Sequence, residues 1–317
     1  MEDKRARAGA RARRVARAGA LWVAALAVAV SSAAAQSQSG MRTLRVGGLE
    51  RSYLVHLPAP RPAGRPLPLV LVFHGAGGRP RGIAEHTGFS RVADREGFIA
   101  VYPAGIRERW NDGRGRPSTP HDDVAFIRAL IDTLARTERI DPARIYATGI
   151  SNGGMFVHRL ACDLPGVLAA IAPVAGALPA ALAPGCAAAP PVSVLAIQGT
   201  EDQLIPYDGG GVAGTRGAVL SAGESVAHWA RRANCGTLPV AGSRVDRLQD
   251  GTALMHHAYP GCGGRAVELV EVRGGGHTWP GGPRVSARLL GRTTRELDGT
   301  RAIWQFFAAH PRGAAQR

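Results

Sequence analysis

The chain has 317 residues, 45% of them hydrophobic, and this length and composition suit one large α/β domain or two small ones. Its formal net charge is +15, of which residues 1–35 carry +5. The arginines are scattered among Ala, Gly and Pro, without a basic stripe or interleaved aromatic residues. We therefore do not expect a nucleic-acid partner.

The first 35 residues have the three parts of a secretory signal peptide. A basic segment, residues 1–17, is followed by 13 uncharged and mostly apolar residues, 18–30, and then by Ser and Ala up to Ala35. We expect cleavage after Ala35, with residues 36–317 exported as a single catalytic domain that is not stably inserted in a membrane. The alternative is an uncleaved membrane anchor. An Arg-Arg pair in the basic segment leaves the choice between Sec and twin-arginine export open.

The cysteines are Cys162, Cys186, Cys235 and Cys262, and no C-x-x-C motif is present, so we do not expect a zinc or other metal site. An even number of cysteines in an exported chain indicates two disulfides. Proximity in sequence favours Cys162 with Cys186 and Cys235 with Cys262, although sequence alone cannot fix the connectivity. The alternative is four buried free thiols.

The apolar pattern predicts strands that alternate with helices. Residues 42–46 and 51–57 alternate around Gly47-Gly48, which is typical of an antiparallel hairpin at a sheet edge. Residues 67–73 form a continuous apolar run, typical of a strand buried on both faces. Further strands are predicted at 98–102, 144–148, 168–174, 192–198, 244–248, 253–258 and 266–272, and helices at 89–96, 124–134, 155–162, 224–234 and 300–309. This alternation predicts a mostly parallel, doubly wound sheet with helices on both faces.

Residues 149–153 read G-I-S-N-G, a G-x-S-x-G motif between a predicted strand and a predicted helix. In this context the motif indicates a nucleophile elbow, a strained turn that holds the hydroxyl of Ser151 outside the sheet edge. Gly149 and Gly153 leave room for the strand and the helix to approach each other. The N–H of Asn152 then faces the position where an oxyanion forms. The alternative is a glycine-rich turn without chemistry.

The loop after the first buried strand reads H-G-A-G-G, residues 74–78. Glycines at this place let backbone N–H groups approach a ligand, and we expect the N–H of Ala76 to be the second oxyanion donor. His74 is expected to belong to the loop scaffold. The alternative is a simple strand-to-loop turn.

A carboxylate and a histidine follow two later strands, at the sheet edge where active groups gather. Glu201 and Asp202 compete for the carboxylate role, and the G-T-x-D pattern favours Asp202. His277 follows the last predicted strand in a loop of glycines, which favours it as the base. Each of the three also has a structural alternative, as a turn cap, a solvated loop residue or a buried histidine.

The polar loop of residues 103–120 holds Trp110, which either lines the substrate pocket or packs under its own loop. Asp122 and Asp123 precede a predicted helix, where carboxylates cap free N–H groups and suit the helix dipole. We expect a structural role for both.

Ser151, Asp202 and His277 follow one another in the chain order of an α/β-hydrolase triad, so the predicted fold class is the α/β-hydrolase fold. In such a triad Ser151 attacks an acyl carbon, His277 transfers its proton, and Asp202 orients the imidazole. Water then hydrolyses the acyl-enzyme, and this chemistry needs neither a metal nor an organic cofactor.

Five sequence blocks together resemble the extracellular polyhydroxybutyrate depolymerase-like esterases, a family that also includes feruloyl and acetylxylan esterases. The blocks are residues 71–78, 122–127, 149–155, 199–202 and 275–281, and the last, G-G-H-T-W-P-G, is far more specific than G-x-S-x-G. The resemblance covers about residues 42–311. It implies an α/β-hydrolase fold, the triad Ser151, Asp202 and His277, and a place for Trp279 beside the acyl or alcohol group. The favoured cysteine pairing also fits the family.

The leading hypothesis is a secreted serine esterase for short hydroxyalkanoate oligomers or small acyl esters, with a feruloyl or acetylxylan esterase as the alternative. The family's dedicated polymer depolymerases usually carry a separate substrate-binding domain. We expect no such binding domain before Arg317, and therefore no attack on a solid polymer. A hypothesis of another class is a non-catalytic cell-surface binding protein on the same fold. The oligomeric state is left open.

Overall fold

The computed structural model describes residues 38–61, 64–115, 121–214 and 216–313. The predicted signal peptide and its cleavage site lie outside these ranges and stay predictions. None of the helices in these ranges is long and apolar enough to cross a membrane.

The strands of the described ranges form one large sheet and one small ladder. The ladder pairs two short strands, β8 (Gly210–Gly211) and β9 (Ala218–Val219). The strands of the large sheet are β1 (Gly40–Val46), β2 (Leu49–His56), β3 (Leu67–Phe73), β4 (Ile99–Pro103), β5 (Ile140–Ile150), β6 (Ala170–Val174), β7 (Ser193–Gly199), β10 (Val240–Ala241), β11 (Ala253–Ala258) and β12 (Val267–Arg273). Their order in the sheet is β1-β2-β4-β3-β5-β6-β7-β12-β11-β10. The central strands from β4 to β12 run parallel, and both edges are antiparallel.

Helices cover both faces of this sheet. They are α1 (Pro80–Thr87), α2 (Phe89–Glu96), α3 (Asp123–Glu138), α4 (Asn152–Asp163), α5 (Ala222–Arg232), α6 (Ala287–Leu290) and α7 (Gly299–Ala309). Apolar residues of α3, α4 and α5 join one buried cluster, and those of α1, α2 and α7 join another. Strand β3 separates the two clusters, because Leu71 packs in the first and Val72 in the second. Successive side chains of a strand point to opposite faces, so the continuous apolar run serves two helix layers at once.

The predicted fold class is confirmed: a mostly parallel sheet with an antiparallel N-terminal hairpin and helices on both faces. The hairpin turns at Gly47 and Gly48, whose φ values of 56° and 79° suit a two-residue turn. The turn residues were therefore a reliable guide to this edge of the sheet.

Residues 244–248 and helix α1 are among the local elements that differ from the prediction. Residues 244–248 contribute a single bridge, from Val245 to Leu254, instead of a strand. The N–H groups of Arg247 and Leu248 donate to the Glu296 carboxylate, which takes them out of any ladder. Helix α1 was not predicted, although a proline stands at its N-terminus and a left-handed glycine caps its C-terminus.

Two disulfides join Cys162 to Cys186 and Cys235 to Cys262, the pairs that proximity in sequence favours. The first connects the last turn of α4 to a short 3₁₀ helix, Gly185–Ala188, and the second connects the chain after α5 to the loop before β12. All four cysteines pack in the same buried cluster as α3, α4 and α5, so both disulfides lie on the same face of the sheet.

Removing the disulfide between Cys162 and Cys186 tests how much it contributes to stability. The bond closes a segment with a sequence separation of 24. The double variant Cys162→Ser with Cys186→Ser is expected to lose about 3 kcal/mol in the free energy of unfolding, because the unfolded chain regains loop entropy. Urea denaturation measures this loss, and Cys235→Ser with Cys262→Ser is the matched control for a bond of similar separation. A free energy of unfolding of the Cys162→Ser and Cys186→Ser variant equal to that of the wild type would contradict the expectation.

His158 is buried in the contact between α4 and α5. Nε1–H of Trp229 donates to Nδ1 of His158 at 3.0 Å, and the two rings are stacked. Burial, and to a smaller extent the charge of His228, lowers the pKa of His158 to about 3. The core therefore holds the neutral imidazole.

This lowered pKa predicts a loss of stability in acid. The unfolded chain protonates His158 below its ordinary pKa of 6.5, whereas the folded chain does so only near 3. The contribution of the neutral ring is complete above pH 6.5 and is lost as the pH falls towards 3, by up to about 1.4 kcal/mol per pH unit. In His158→Gln, which keeps an acceptor for Trp229, the free energy of unfolding should fall less steeply between about pH 6.5 and pH 4. Equal slopes in the variant and the wild type would refute this.

Candidate active site

Ser151 occupies the turn between β5 and α4. Its φ and ψ are 59° and −125°, a backbone conformation that residues other than glycine rarely adopt. A Cβ on Gly149 would lie 2.7 Å from the carbonyl oxygen of Phe73, and one on Gly153 would lie 2.5 Å from it. Only glycine therefore lets β5 and α4 approach the end of β3 this closely. The turn at Ser151 has the strain that a nucleophile elbow needs.

His277 lies in the glycine-rich loop that follows β12. The backbone N–H of Gly276 donates to the carbonyl of Arg292, and that of His277 donates to the carbonyl of Leu290. A Cβ on Gly276 would overlap the carbonyl oxygen of Leu290. The glycine lets the loop dock on residues 290–292, and this docking fixes the backbone that carries the imidazole.

Asp202 holds the imidazole of His277. Its Oδ2 accepts from Nδ1–H of His277 at 2.8 Å and from Nε2–H of Gln198 at 3.2 Å. Its Oδ1 accepts from the N–H groups of Leu204 and Ile205, at 2.9 Å and 2.8 Å. The Asp202 side chain is fully buried, and these four donors offset the cost of burying its charge. Since the proton of the imidazole lies on Nδ1, Nε2 is left as the acceptor, which is the form a general base needs.

Glu201, the competing carboxylate, lies away from the imidazole. Its side chain is 58% exposed and pairs with Arg292 at 2.9 Å. Of the two neighbouring carboxylates, only Asp202 bonds to His277.

Ser151 and His277 line one cavity of about 480 Å³. Asn152 and Ala76 line it as well. Much of the remaining wall is apolar and comes from Ile83, Ile150, Met155, Leu204, Ile205, Val212, Val285 and Leu290. The Ser151 hydroxyl and Nε2 of His277 are not hydrogen-bonded to each other, and in free enzymes such contacts are often long and shorten when substrate binds.

Both predicted oxyanion donors lie at this cavity. Asn152 is the first residue of α4, so its backbone N–H has no acceptor within the helix. Ala76 is exposed in the loop after β3. This loop passes directly beside the elbow, because a Cβ on Gly75 would lie 3.2 Å from the Cβ of Ser151. The two backbone segments can therefore face one substrate oxygen.

The imidazole of His74 holds the loop of residues 74–78 by two hydrogen bonds to backbone groups. Nε2 of His74 accepts from the backbone N–H of Gly105 at 3.0 Å, so the ring proton lies on Nδ1, which donates to the carbonyl of Gly75 at 2.8 Å. Burial lowers the pKa of His74, which keeps the ring neutral in this arrangement. His74 is therefore a scaffold residue, as the sequence indicates.

Neither Trp110 nor Trp279 lines this cavity. Of the two alternatives for Trp110 the structure has the buried one, and it does not place Trp279 at the cavity wall, where the family resemblance implied a contact with the acyl or alcohol group. Trp279 is 1% exposed, and its Nε1–H donates to Thr300 at 2.9 Å. Trp110 is fully buried, stacks on Phe156, and donates its Nε1–H to the carbonyl of His74 at 3.0 Å. Both indoles bury a large apolar surface and find an acceptor for their single N–H inside the core. They support the site without facing it.

The side chain of Asn152 ties the start of α4 to the Trp110 loop. Its Oδ1 accepts from the N–H of Trp110 at 2.8 Å, and its Nδ2 donates to the carbonyl of Trp110 at 3.0 Å and to Asp112 at 2.6 Å. These bonds were not predicted. The W-N-D run at 110–112 inside a polar loop was the signal available in the sequence.

Two further positioning residues lie behind the site. Gln198, near the end of β7, is buried and donates to Asp202 and to the carbonyl of Ile205. A glutamine that ends an otherwise apolar strand was its sequence signal.

The two carboxylates at the start of α3 have different roles. Asp122 caps α3, as expected, by accepting from the N–H of Ala125. Asp123 instead forms a buried ion pair with Arg51 at 2.7 Å and accepts from Asn111, so it anchors the Trp110 loop.

A family model described as "Esterase PHB depolymerase" matches residues 51–189 of the chain. A Nocardia uniformis subsp. tsuyamanensis protein named "Putative esterase NocK" is 35% identical over 284 residues, which cover 83% of this chain and 80% of that protein. "Feruloyl esterase B" of Piromyces equi is 29% identical over 237 residues, which cover 72% of this chain and 42% of that enzyme. The chain thus spans less than half the length of the Piromyces enzyme.

Among solved structures, the acetyl xylan esterase from Aspergillus awamori has a TM-score of 0.60 to this chain, at 12% identity, over 85% of this chain and 99% of that one. At this identity the likeness shows the fold alone, an α/β-hydrolase fold. The sequence matches are to esterases, and they argue against a non-catalytic binding protein. The chain belongs to the esterase PHB depolymerase family and is a carboxylic-ester hydrolase.

Proposed function

We propose that the chain is a secreted serine esterase that acts through an acyl-enzyme on Ser151, with short hydroxyalkanoate oligomers or small acyl esters as substrates. The observation that carries the mechanism is the 2.8 Å hydrogen bond from His277 to Asp202, made by an imidazole that lines the same cavity as Ser151. An oriented imidazole beside a strained serine is the arrangement that activates a hydroxyl.

In this mechanism the Ser151 hydroxyl attacks the ester carbonyl while Nε2 of His277 takes its proton. The carbonyl oxygen becomes an oxyanion that accepts from the N–H groups of Asn152 and Ala76, and such a donor contributes about 3 kcal/mol. Asp202 stabilises the imidazolium, which then protonates the leaving alcohol. Water, activated by the same imidazole, attacks the acyl-enzyme and releases the acid and Ser151.

The substrate class is supported by the family and by the cavity. A volume of about 480 Å³ with a largely apolar wall suits a small acyl group or a short oligomer. The family carries the name of hydroxybutyrate polyester depolymerases. The second candidate, a feruloyl or acetylxylan esterase, is favoured by the relative from Piromyces equi, which is named for feruloyl esters.

Secretion and a single catalytic domain of residues 36–317 complete the proposal. Two disulfides support an oxidising compartment, either the periplasm or the outside of the cell. The signal peptide predicted for residues 1–35 provides the route.

A substrate panel with a serine variant tests both parts of the proposal. We expect the highest kcat/KM for 3-hydroxybutyrate trimer, compared with methyl ferulate and acetylated xylan, measured by chromatography of the released acid. Ser151→Ala should lower every rate by about five orders of magnitude, since no side chain is left to form the acyl-enzyme. A preference for methyl ferulate or acetylated xylan would select the second candidate. Undiminished turnover in Ser151→Ala would exclude the serine mechanism.

The two adjacent carboxylates, Glu201 and Asp202, provide a matched pair of variants that tests which of them orients the imidazole of His277. Asp202→Asn should lower kcat about 10⁴-fold, because an amide in place of Oδ2 no longer holds the Nδ1–H tautomer of His277. Glu201→Gln changes a neighbouring exposed carboxylate in the same way and should keep kcat within about twofold of the wild type. Steady-state kinetics on p-nitrophenyl butyrate separates the two variants. The reverse pattern would assign the role to Glu201.

A further inference from the structure

The candidate active-site cavity has four arginines in its lining. Arg79, Arg109, Arg114 and Arg216 line it together with the apolar residues described above. Arg109, Arg114 and Arg216 also line a second hollow of about 320 Å³, which shares Asn152 with the first. Since the two hollows share these four lining residues, they adjoin each other. The arginines therefore stand between the reacting ester and an extension of its cavity.

Two of these arginines have no carboxylate partner among the residues that the structure describes. Arg79 pairs with Glu108 at 2.6 Å, and Arg114 pairs with Asp112 at 2.8 Å. Arg109 and Arg216 form no ion pair with any residue of the described ranges. The acidic residues outside those ranges are Glu2 and Asp3, in the predicted signal peptide. The positive charge at the cavity thus exceeds what its own carboxylates balance.

Guanidinium groups without a carboxylate partner favour a carboxylate as ligand. Arginine presents fixed N–H donors that match the two oxygens of a carboxylate, and charge-assisted bonds of this kind are about twice as strong as neutral ones. Arg109 is half-buried, where water screens its charge less than at an open surface. The same cavity is also lined by apolar residues, among them Ile83, Val285 and Leu290. The cavity therefore offers both apolar surface and cationic groups around one serine.

We propose that Arg109 and Arg216 form an anion subsite that selects esters with a free carboxylate at one end, an inference that rests on the proposed function. A short hydroxyalkanoate oligomer is such an ester, because each molecule ends in one carboxylate. The subsite binds this end and places an ester bond of the same molecule at Ser151. A neutral ester of equal size loses this contact.

Matched ester pairs test the selection. The first pair is 3-hydroxybutyrate dimer and its methyl ester, where the carboxylate belongs to the leaving alcohol. The second is monomethyl adipate and methyl hexanoate, where it belongs to the acyl group. Chromatography follows cleavage of the internal ester bond of the dimer and release of methanol from the second pair. We expect the wild type to prefer the charged member of at least one pair by about tenfold in kcat/KM, mainly through KM, and about 0.5 M salt to reduce this preference.

Variants assign the preference to the two arginines. Arg216→Gln and Arg109→Gln should each lower the charged-to-neutral ratio several-fold, and Arg216→Lys should restore part of it. Arg301→Gln, an exposed arginine on α7 that lines neither hollow, is the control and should keep both the ratio and the activity. A wild-type ratio near one in both pairs would overturn the proposal. So would a ratio that both glutamine variants leave unchanged.

The failure of this inference differs from the failure of the proposed function. If Ser151→Ala abolishes turnover while the ratio stays near one, the serine mechanism stands and the anion subsite is wrong. If Ser151→Ala retains turnover, the serine mechanism is wrong, and the anion subsite, which rests on it, falls too.

Discussion

The hydrogen bond between Asp202 and His277 is the contact on which the candidate site depends, and the sheet topology makes it possible. β7 and β12 are parallel neighbours, so the residues that follow their carboxyl ends meet at one edge. Ser151 follows β5, which lies in the same parallel set. Three segments far apart in the chain therefore reach one cavity without any of them crossing the sheet.

Close backbone packing is the second requirement, and it explains where the glycines stand. Gly149 and Gly153 let β5 and α4 approach the end of β3, and Gly276 lets the histidine loop dock on residues 290–292. Larger side chains at these positions would collide with carbonyl oxygens. The geometry of the site thus depends on close backbone contacts that only glycine permits at these three positions.

Buried polar and aromatic groups connect the two segments that carry the predicted oxyanion donors. Trp110 donates to the carbonyl of His74, and the side chain of Asn152 bonds to the backbone of Trp110. The buried pair of Arg51 and Asp123 fixes the loop that carries the indole. Removing one partner of a buried ion pair is strongly destabilising, so the pair helps to keep this loop in place.

The sequence predicted the sheet and the chain order of the candidate triad because both leave local signals. Apolar runs mark buried strands such as β3, and glycines mark the turns around Ser151 and His277. The side-chain partners of Trp110 and Trp279 were not predictable in this way. Whether a tryptophan faces a pocket or fills the core depends on contacts between segments that are distant in the chain. The local sequence pattern does not predict such contacts. The G-T-x-D pattern favours Asp202 over Glu201, but the directions of the two side chains, which separate them in the structure, leave no local signal in the sequence.

The most direct test of the central claim is covalent labelling with a fluorophosphonate, followed by mass spectrometry of the peptides. An activated Ser151 predicts one adduct per chain, on the peptide that holds Ser151, and a much slower reaction in His277→Ala. An unlabelled protein, or an adduct on another residue, would contradict the assignment of Ser151 as the nucleophile.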